Sequence, residues 1–298
     1  MKAPRIISWG SGLVEVNWKY IRGTCRREPR AVIEIEDYRK LPKRVLAEGR
    51  VAVVLSTGRC GTKLLAKLLQ GHREVDAYHE AAPNLILASK LAYEAHEQGA
   101  SGDALRLALI ASRYELVEAS YLKSKLFFEA NNRLTFFAPA LASLFPRAKF
   151  VHLVRHPGAF VRSGIRRGYY TGRHSWDEGR ILPLREDTPW QGMSAIERNA
   201  WLWNETNRFI ERFKQQIPAD SALTIRAEDL FADPDTVTDI CSFLGVAPVR
   251  RGRVERCTRT PVNAQRTGSF PRYEGWSAEQ KAELQGHAVL APQYGYRV

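Results

Sequence analysis

The sequence predicts an α/β protein built on a central parallel sheet. Two short runs, 51–55 and 149–154, are rich in β-branched and apolar residues, as expected for strands buried on both faces of a sheet. Each run is followed by a glycine-containing loop and then by apolar residues at helical spacing. The carboxyl ends of such strands form the edge at which open α/β sheets bind ligands.

The loop after the first strand is the most informative stretch: Ser56-Thr57-Gly58-Arg59-Cys60-Gly61-Thr62-Lys63. Free backbone N–H groups and the dipole of the following helix meet at such a junction, so the loop predicts an anion cradle. Arg59 stands inside the loop, where its guanidinium can contact anionic oxygens through two N–H groups. The loop is not a Walker A motif, because Thr62 precedes Lys63 and the magnesium-binding hydroxyl and phosphate lysine of a kinase are out of place.

The loop after the second strand begins at Arg155, and Pro157 suits the first turn of the helix that follows. Ser163 lies two turns into that helix. Since Arg155 stands at the carboxyl end of its strand, we expect it at the ligand-binding edge of the sheet.

Together these residues resemble the sulfotransferases that use 3′-phosphoadenosine 5′-phosphosulfate (PAPS). The first loop is similar to their 5′-phosphosulfate loop, in the Arg-x-Gly-Thr form of tyrosylprotein and many bacterial members. Arg155, followed eight residues later by Ser163, is similar to their 3′-phosphate motif. Two further segments match family patterns. Residues 144–150 lead into the second strand, and residues 223–245 contain the sequence Arg-Ala-Glu-Asp-Leu. The resemblance runs from about residue 50 to 245, and more loosely to Trp276.

The resemblance implies a P-loop NTPase-like fold, a three-layer α/β/α arrangement with a central parallel sheet. One domain would span residues 1–298, with a motif-bearing core at about 50–276 and an N-terminal extension, 1–50, packed on it. PAPS would be the co-substrate and 3′-phosphoadenosine 5′-phosphate (PAP) the product, without a metal ion. The nucleotide-binding residues that the resemblance implies are Arg59, Cys60, Gly61, Thr62, Lys63, Arg155, Ser163, Arg167, Arg266 and Gly268.

Sulfuryl transfer needs charge stabilisation at the leaving phosphate, removal of the acceptor proton and an in-line geometry. Arg59 is the candidate for the charge, because the family places Lys or Arg there, in contact with the 5′-phosphate and the bridging oxygen. Cys60 could be a catalytic thiol, but the family has a small residue at its position. We therefore interpret Cys60 as a loop residue that donates its backbone N–H.

Glu80 is the first candidate for the general base. It lies 21 residues after Arg59, and tyrosylprotein and several bacterial sulfotransferases place a catalytic Glu at a similar interval. His79 is the runner-up, since its unperturbed pKa suits base chemistry. Glu129 is a further, weaker candidate.

The chain departs from the family pattern before the second strand. Many relatives carry a Lys there that contacts the transferring sulfuryl group. Here the segment reads Phe127-Phe128-Glu129-Ala130-Asn131-Asn132-Arg133. Asn131 or Asn132 could donate hydrogen bonds instead, or Arg133 could supply the charge.

The formal net charge of +13 implies a polyanionic partner. A nucleic-acid-binding module would show a basic stripe interleaved with aromatic residues. The basic residues are instead dispersed, with clusters at 162–167, beside the second loop, and at 250–259, so no nucleic acid is expected. The rival functions are a nucleotide kinase of the same fold and a non-catalytic polyanion-binding or nucleic-acid-binding module.

The four cysteines form no CxxC pair and predict free thiols in a reducing compartment. No apolar run approaches the ~20 residues of a membrane span, and no signal peptide is evident, so a cytoplasmic protein is expected. The acceptor would carry a hydroxyl group on a carbohydrate, a lipid, a peptidyl tyrosine or a small alcohol. The sequence does not choose among these acceptors or give the oligomeric state.

The remaining segments are expected to pack around this core. Helical periodicity covers 85–98, 103–122 and 195–216, and a further helix carrying Pro139 is expected at 134–145. Residues 170–194 are rich in Gly, Pro and polar residues and predict a loop or lid. The alternating run Ala31–Glu36 predicts a short edge strand.

Overall fold

The computed structural model describes residues 13–14, 33–184, 189–259 and 268–298. The strands within these ranges are β1 (Leu13–Val14), β2 (Ile33–Glu34), β3 (Val51–Leu55), β4 (Val75–His79), β5 (Leu126–Ala130), β6 (Lys149–Val154) and β7 (Ala222–Arg226). Strands β3 to β7 form a parallel sheet in the order β4-β5-β3-β6-β7. The two short strands β1 and β2 pair antiparallel with each other.

Helices connect and cover these strands. They are α1 (Ile35–Glu48), α2 (Thr62–Leu69), α3 (Ile86–Glu97), α4 (Asp103–Leu122), α5 (Ala138–Leu144), α6 (Pro157–Arg166), α7 (Ala195–Lys214), α8 (Ala227–Ala232), α9 (Asp235–Leu244), α10 (Arg251–Arg259) and α11 (Ala278–His287). Short 3₁₀ turns lie between them, at Asn132–Phe137, Ser175–Gly179, Trp190–Gly192, Ala219–Ser221, Tyr273–Gly275 and Ala291–Tyr294.

Strand β3 lies at the centre of the sheet, with β5 on one side and β6 on the other, and all five of its residues are buried. Val51, Val53 and Leu55 face a core cluster built with α4, α5 and α7. Ala52 and Val54 face a second cluster, built with α2 and α9. Helices therefore cover both faces, and the predicted three-layer α/β/α fold with a central parallel sheet is confirmed.

The predicted helices at 85–98, 103–122 and 195–216 are confirmed as α3, α4 and α7. The helix expected at 134–145 is in two pieces, a 3₁₀ turn at Asn132–Phe137 and then α5. Pro139 lies in the first turn of α5, where the N–H that a proline lacks would have no partner within the helix.

The N-terminal region differs from the expected edge strand. Of the run 31–36, the structure describes residues 33–36, in which Ile33 and Glu34 form β2, and β2 pairs with β1 and not with the main sheet. Helix α1 starts directly after it and buries Leu41 and Val45, which are one turn apart, in the core. Pro42 lies inside this helix and masks its helical pattern in the sequence.

The carboxyl end of α2 is completed by a distant side chain. Arg253, on α10, donates from Nε to the carbonyl of Leu68 at 2.9 Å and from Nη2 to that of Lys67 at 2.8 Å. Nη2 also contacts the carbonyl of Gln70. These carbonyls belong to the last turn of the helix, where no intrahelical donor exists, so Arg253 satisfies them.

Candidate functional site

The loop between β3 and α2, residues 56–63, is folded around three left-handed residues. Gly58, Arg59 and Gly61 have φ values of +77°, +59° and +95°. A Cβ added to Gly61 would lie 2.9 Å from a ring carbon of Phe231, so a side chain there would be both strained and crowded. The backbone of the loop is therefore wound tightly at the amino end of α2. We call residues 56–63 the cradle.

The start of the cradle is hydrogen-bonded to the 3₁₀ turn that follows β5. The Ser56 N–H donates to Thr135 Oγ1 at 3.1 Å, and the Thr135 hydroxyl donates to the Ser56 carbonyl at 3.1 Å. The Gly58 N–H donates to Ser56 Oγ at 3.1 Å. Gly61 is the N-cap of α2 and supplies no side-chain cap, so the amino end of the helix keeps donors for an anion.

The two predicted anion motifs meet in the structure. Arg59 Nε donates to Ser163 Oγ at 3.0 Å, across 104 residues of sequence. Arg155 Nη1 donates to the carbonyl of Arg59 at 2.7 Å. The carbonyl of Arg155 in turn accepts from the indole N–H of Trp203, on α7, at 2.8 Å. The first and second loops thus form one continuous hydrogen-bonded surface.

Positive charge is concentrated on this surface. The pKa of Arg59 is lowered, first by burial and then by the neighbouring positive charges of Arg167 and Arg155. Guanidinium groups that raise one another's electrostatic energy in this way are stabilised by an anion placed between them. The arrangement therefore favours a ligand with more than one negative charge.

Cys60 is unsuited to nucleophilic chemistry. It is fully buried, its thiol donates to the carbonyl of Gly58 at 3.0 Å, and it lies 3.2 Å from Thr57 Oγ1. Burial raises the pKa of the thiol to about 11, so it stays protonated at neutral pH. These contacts favour the interpretation of Cys60 as a small loop residue.

The start of α6 is held by the Arg-Ala-Glu-Asp-Leu segment. Glu228 accepts from the His156 N–H at 3.1 Å and from the Tyr296 hydroxyl at 2.7 Å. His156 caps the helix, since its Nδ1 accepts from the Gly158 N–H at 3.1 Å, and its Nε2 lies 3.2 Å from the carbonyl of Arg297. The third sequence match therefore lies against the second and fixes the helix that carries Ser163.

The other nucleotide-binding candidates lie around these two loops. Thr62 is buried at the start of α2, and Lys63 beside it is exposed. Gly268 packs against α6, where its carbonyl accepts from Arg166 Nε at 2.8 Å. Arg266 lies outside the described residues.

Glu80 and His79 lie at the same edge of the sheet as the cradle. His79 is the last residue of β4, and Glu80 follows it with a left-handed φ of +50°. Glu80 Oε2 is 3.9 Å from Arg133 Nη1, and the side chain is 37% exposed. The pKa of His79 is lowered, mainly by burial, so its neutral form prevails at neutral pH.

Glu129 is fully buried in β5 and its oxygens are occupied. It accepts from Arg113, from Asn131 Nδ2 at 2.9 Å and from the Ala81 N–H at 3.2 Å. A carboxylate held in this way has no access to an acceptor, so the structure disfavours Glu129 as the base. Arg113, on α4, is not among the candidate residues that the sequence predicts. The signal for a buried cation is Glu129 itself, an acidic residue inside an otherwise apolar strand.

The segment 131–133 connects the cradle to Glu80. Asn131 is buried and caps the following turn, accepting from the Arg133 N–H at 3.0 Å. The Asn132 side chain lies against the cradle, where its Cγ would be 3.2 Å from a Cβ on Gly58. Of the residues that could replace the family's Lys, Asn131 is therefore structural and Asn132 faces the cradle.

Two further observations concern the described residues as a group. They contain no cluster of three or more His, Cys, Asp or Glu side chains arranged to hold a metal ion. None of the helices that the structure describes is both long and apolar enough to cross a membrane.

Solved structures with a similar architecture are sulfotransferases. Sulfotransferase STF9 from Mycobacterium avium has a TM-score of 0.50 and 12% sequence identity, over 89% of this chain and 81% of that chain. The sulfotransferase domain of the Synechococcus PCC 7002 olefin synthase has a TM-score of 0.46 and 20% identity, over 84% and 95% of the two chains. The sulfotransferase domain of the curacin biosynthetic pathway has a TM-score of 0.49 and 16% identity, over 84% and 98%.

At 12% identity the likeness to sulfotransferase STF9 concerns the fold alone, and the sequence itself supplies the family. No protein of curated function matches the chain in sequence. The model of the sulfotransferase family matches residues 52–249, about two thirds of the chain, and this match includes both loops that the sequence predicts to bind anions. The chain therefore belongs to the sulfotransferase family.

Proposed function

We propose that the protein transfers a sulfuryl group from PAPS to a hydroxyl group of an acceptor. The observation that carries this proposal is the direct contact between the two anion motifs, through the 3.0 Å hydrogen bond from Arg59 to Ser163. PAPS has phosphate groups at both ends of its ribose. Two cationic loops joined at one sheet edge suit a nucleotide of that kind better than one with a single phosphate group.

The residues present fit both ends of such a nucleotide. The cradle and the amino end of α2 would hold the 5′-phosphosulfate through backbone N–H groups. Arg155 and Ser163 would hold the 3′-phosphate, with Arg167 beside them. Gly268 packs on α6 next to Arg166, so Gly268 would lie near the 3′ end of the nucleotide. Cationic side chains supply the charge compensation, so we expect binding without magnesium.

PAPS would supply an activated sulfuryl group whose departure leaves negative charge on the 5′-phosphate. Arg59 is placed to stabilise that charge, since it stands in the cradle and its guanidinium is already oriented by Ser163. Asn132, which lies against the cradle, would donate hydrogen bonds to the transferring group in place of the family's Lys.

Glu80 would take the proton from the acceptor hydroxyl. Its carboxylate is partly exposed at the sheet edge that also carries the cradle, and it lies 3.9 Å from Arg133 Nη1. His79 is the alternative base, because its neutral imidazole can also accept a proton. Glu129 itself is not proposed as the base, because its oxygens are occupied.

The acceptor is a hydroxyl compound of open class, and the cytoplasm is the proposed location. Membership of the sulfotransferase family displaces the nucleotide-kinase alternative. The second alternative is a basic module that binds polyanions without catalysis. A measurement of sulfuryl transfer distinguishes this module from an enzyme.

Calorimetry tests the nucleotide. PAP should bind much more tightly than AMP or ATP in the absence of magnesium, because only PAP carries the 3′-phosphate that Arg155 and Ser163 would contact. Equal affinities for PAP and AMP would contradict the assignment of the second loop.

Incubation with labelled PAPS and a panel of carbohydrate, lipid, peptide and small alcohol acceptors tests the reaction. Transfer of label to one class establishes both donor and acceptor. Salt-sensitive binding to DNA or heparin, with PAP affinity absent and no transfer, would favour the non-catalytic module.

A further inference from the structure

A buried ion pair lies directly behind the residues that follow Glu80. Arg113, on α4, is 2% exposed, and Glu129, on β5, is 0% exposed. Arg113 Nε donates to Glu129 Oε2 at 2.6 Å, and Nη2 donates to Oε1 at 3.0 Å. Because burying two charges costs hydration, such a pair by itself is a weak source of stability. Its other hydrogen bonds therefore indicate what it does.

Those other bonds include the backbone of residues 80–84, which we call the acceptor-side turn. The Ala81 N–H donates to Glu129 Oε1 at 3.2 Å, and Arg113 Nη2 donates to the Ala81 carbonyl at 3.0 Å. Nη1 and Nη2 of Arg113 both donate to the Pro83 carbonyl at 3.3 Å. One ion pair thus holds both polar backbone groups of the residue next to Glu80.

The Glu80 side chain is held much less directly. Its contact with Arg133, at 3.9 Å, is too long for a hydrogen bond. Its own N–H donates to the Ala130 carbonyl at 3.4 Å, and its left-handed φ of +50° is unfavourable for a residue with a Cβ. The direction of the carboxylate is consequently set by the backbone on either side of it.

We propose that Arg113 and Glu129 are positioning residues that hold Glu80 toward the acceptor hydroxyl. This inference rests on the proposed role of Glu80 as the general base. Neither residue touches a reacting atom, and both act through the backbone of Ala81 and Pro83. Since a displacement of about 1 Å can cost about 10²-fold in rate, loss of these bonds should appear in kcat.

The test is a double variant, Arg113→Met with Glu129→Leu, which removes both charges and keeps the apolar volume. We expect kcat to fall roughly 10–100-fold, which is the loss typical when hydrogen-bond partners that orient an active-site ligand are removed. PAP affinity and KM for PAPS should stay unchanged. Amide hydrogen exchange in the peptide that contains the acceptor-side turn should become faster.

The matched control removes a second arginine–carboxylate pair, in which Glu205 is buried and Arg208 is exposed, and this pair does not touch the turn. On α7, Arg208 donates to both oxygens of Glu205, at 2.8 and 2.7 Å. Arg208→Met with Glu205→Leu should keep kcat and leave exchange in the acceptor-side turn unchanged. If the Arg113/Glu129 double variant does not fold, Arg113→Lys takes its place, because Lys keeps the charge but cannot donate to Glu129, Ala81 and Pro83 together.

Combination with Glu80→Gln separates this inference from the proposed function. If the pair acts through Glu80, the double variant should lower kcat in the Glu80 enzyme and have little further effect in Glu80→Gln. An equal loss in both backgrounds, or no loss in either, overturns the positioning role and leaves the sulfotransferase proposal intact. Wild-type kcat in Glu80→Gln alone would instead refute the proposed base.

Discussion

The nucleotide side and the acceptor side of the site are held in different ways. On the nucleotide side, the residues that would touch the ligand bond to one another, as in the contacts from Arg59 to Ser163 and from Arg155 to Arg59. On the acceptor side, the Glu80 carboxylate lies 3.9 Å from Arg133, too far for a hydrogen bond, and the order comes from the buried pair behind its backbone.

This difference shows which contacts hold the residues of each side in position. A nucleotide with fixed phosphate groups can be met by a rigid, fully bonded surface. A base must stay open to the acceptor and to the proton that it takes, so its side chain has few partners and its backbone carries the constraint. Substitutions should therefore separate into those that weaken nucleotide binding and those that lower only turnover.

Glu80→Gln should give the largest effect and the cleanest separation. Gln keeps the size of the side chain but cannot take the acceptor proton, so kcat should fall roughly 10²–10⁴-fold. PAP affinity, measured by calorimetry, should change little. His79→Ala is the comparison: a larger loss of kcat in His79→Ala than in Glu80→Gln would move the base to His79.

Arg59→Ala should affect both nucleotide binding and turnover, because Arg59 belongs to the proposed nucleotide side and would also stabilise the leaving group. We expect kcat to fall roughly 10²–10³-fold and PAP binding to weaken as well. Arg59→Lys keeps the charge without the guanidinium geometry and should lie between Ala and the wild type. Unchanged kcat in Arg59→Ala would show that charge stabilisation comes from another residue.

Arg155→Ala should affect binding alone. Loss of a charge-assisted contact to the 3′-phosphate costs about 1.5–3 kcal/mol, so PAP affinity should fall by roughly 10–150-fold. AMP affinity should change much less, and the preference for PAP should largely disappear. Arg256→Ala is the control, since this exposed residue on α10 removes the same charge at a distance from the second loop. Equal losses of PAP affinity in both variants would show that the change in net charge, and not a specific contact of Arg155, causes the effect.

Gly61→Ala tests the shape of the cradle. A non-glycine residue in the left-handed region costs about 1–2 kcal/mol, and the close approach of Phe231 should add to this value. Gly71→Ala is the matched control, because Gly71 has a φ of +75° but nothing within 4 Å of an added Cβ. Denaturant unfolding should show the larger loss for Gly61→Ala, and only that variant should weaken PAP binding.

Cys60→Ser should have the smallest effect. The thiol has a pKa of about 11 and is buried, so it supplies no nucleophile at neutral pH. The change in kcat should stay well below the roughly 10²-fold minimum expected for Glu80→Gln. Rapid alkylation of Cys60 by iodoacetamide in the folded protein, with loss of activity, would contradict this assignment.

The two loops of the proposed nucleotide side could be located from the sequence because their signals are local. A β-branched strand, a glycine loop and a helix start are contained within about twenty residues, around the cradle and again around Arg155. The fold follows from the same units, since parallel strands with helical crossovers leave few topologies. What the sequence could not show is the bond from Arg59 to Ser163, which depends on how β3 and β6 pair.

The acceptor side was less visible because its support comes from separate elements. Arg113 lies on α4 among other polar and apolar residues, and nothing next to it in the sequence marks it as buried. Glu129 was noticed as a carboxylate and interpreted as a weak base candidate. Its partner and its contact with Ala81 arise only when α4, β5 and the acceptor-side turn are brought together.

The Arg253 contact with the last turn of α2 has a consequence for the order of events during synthesis. The helix whose amino end forms the cradle receives its terminal cap from a residue more than 180 positions later in the chain. At about 5–20 residues per second, a ribosome needs roughly 10–40 s to reach that residue after α2 is made. During this time the nascent cradle has both of its glycines but an unfinished helix behind it. The cap at the carboxyl end of α2 can therefore form only after synthesis has reached Arg253.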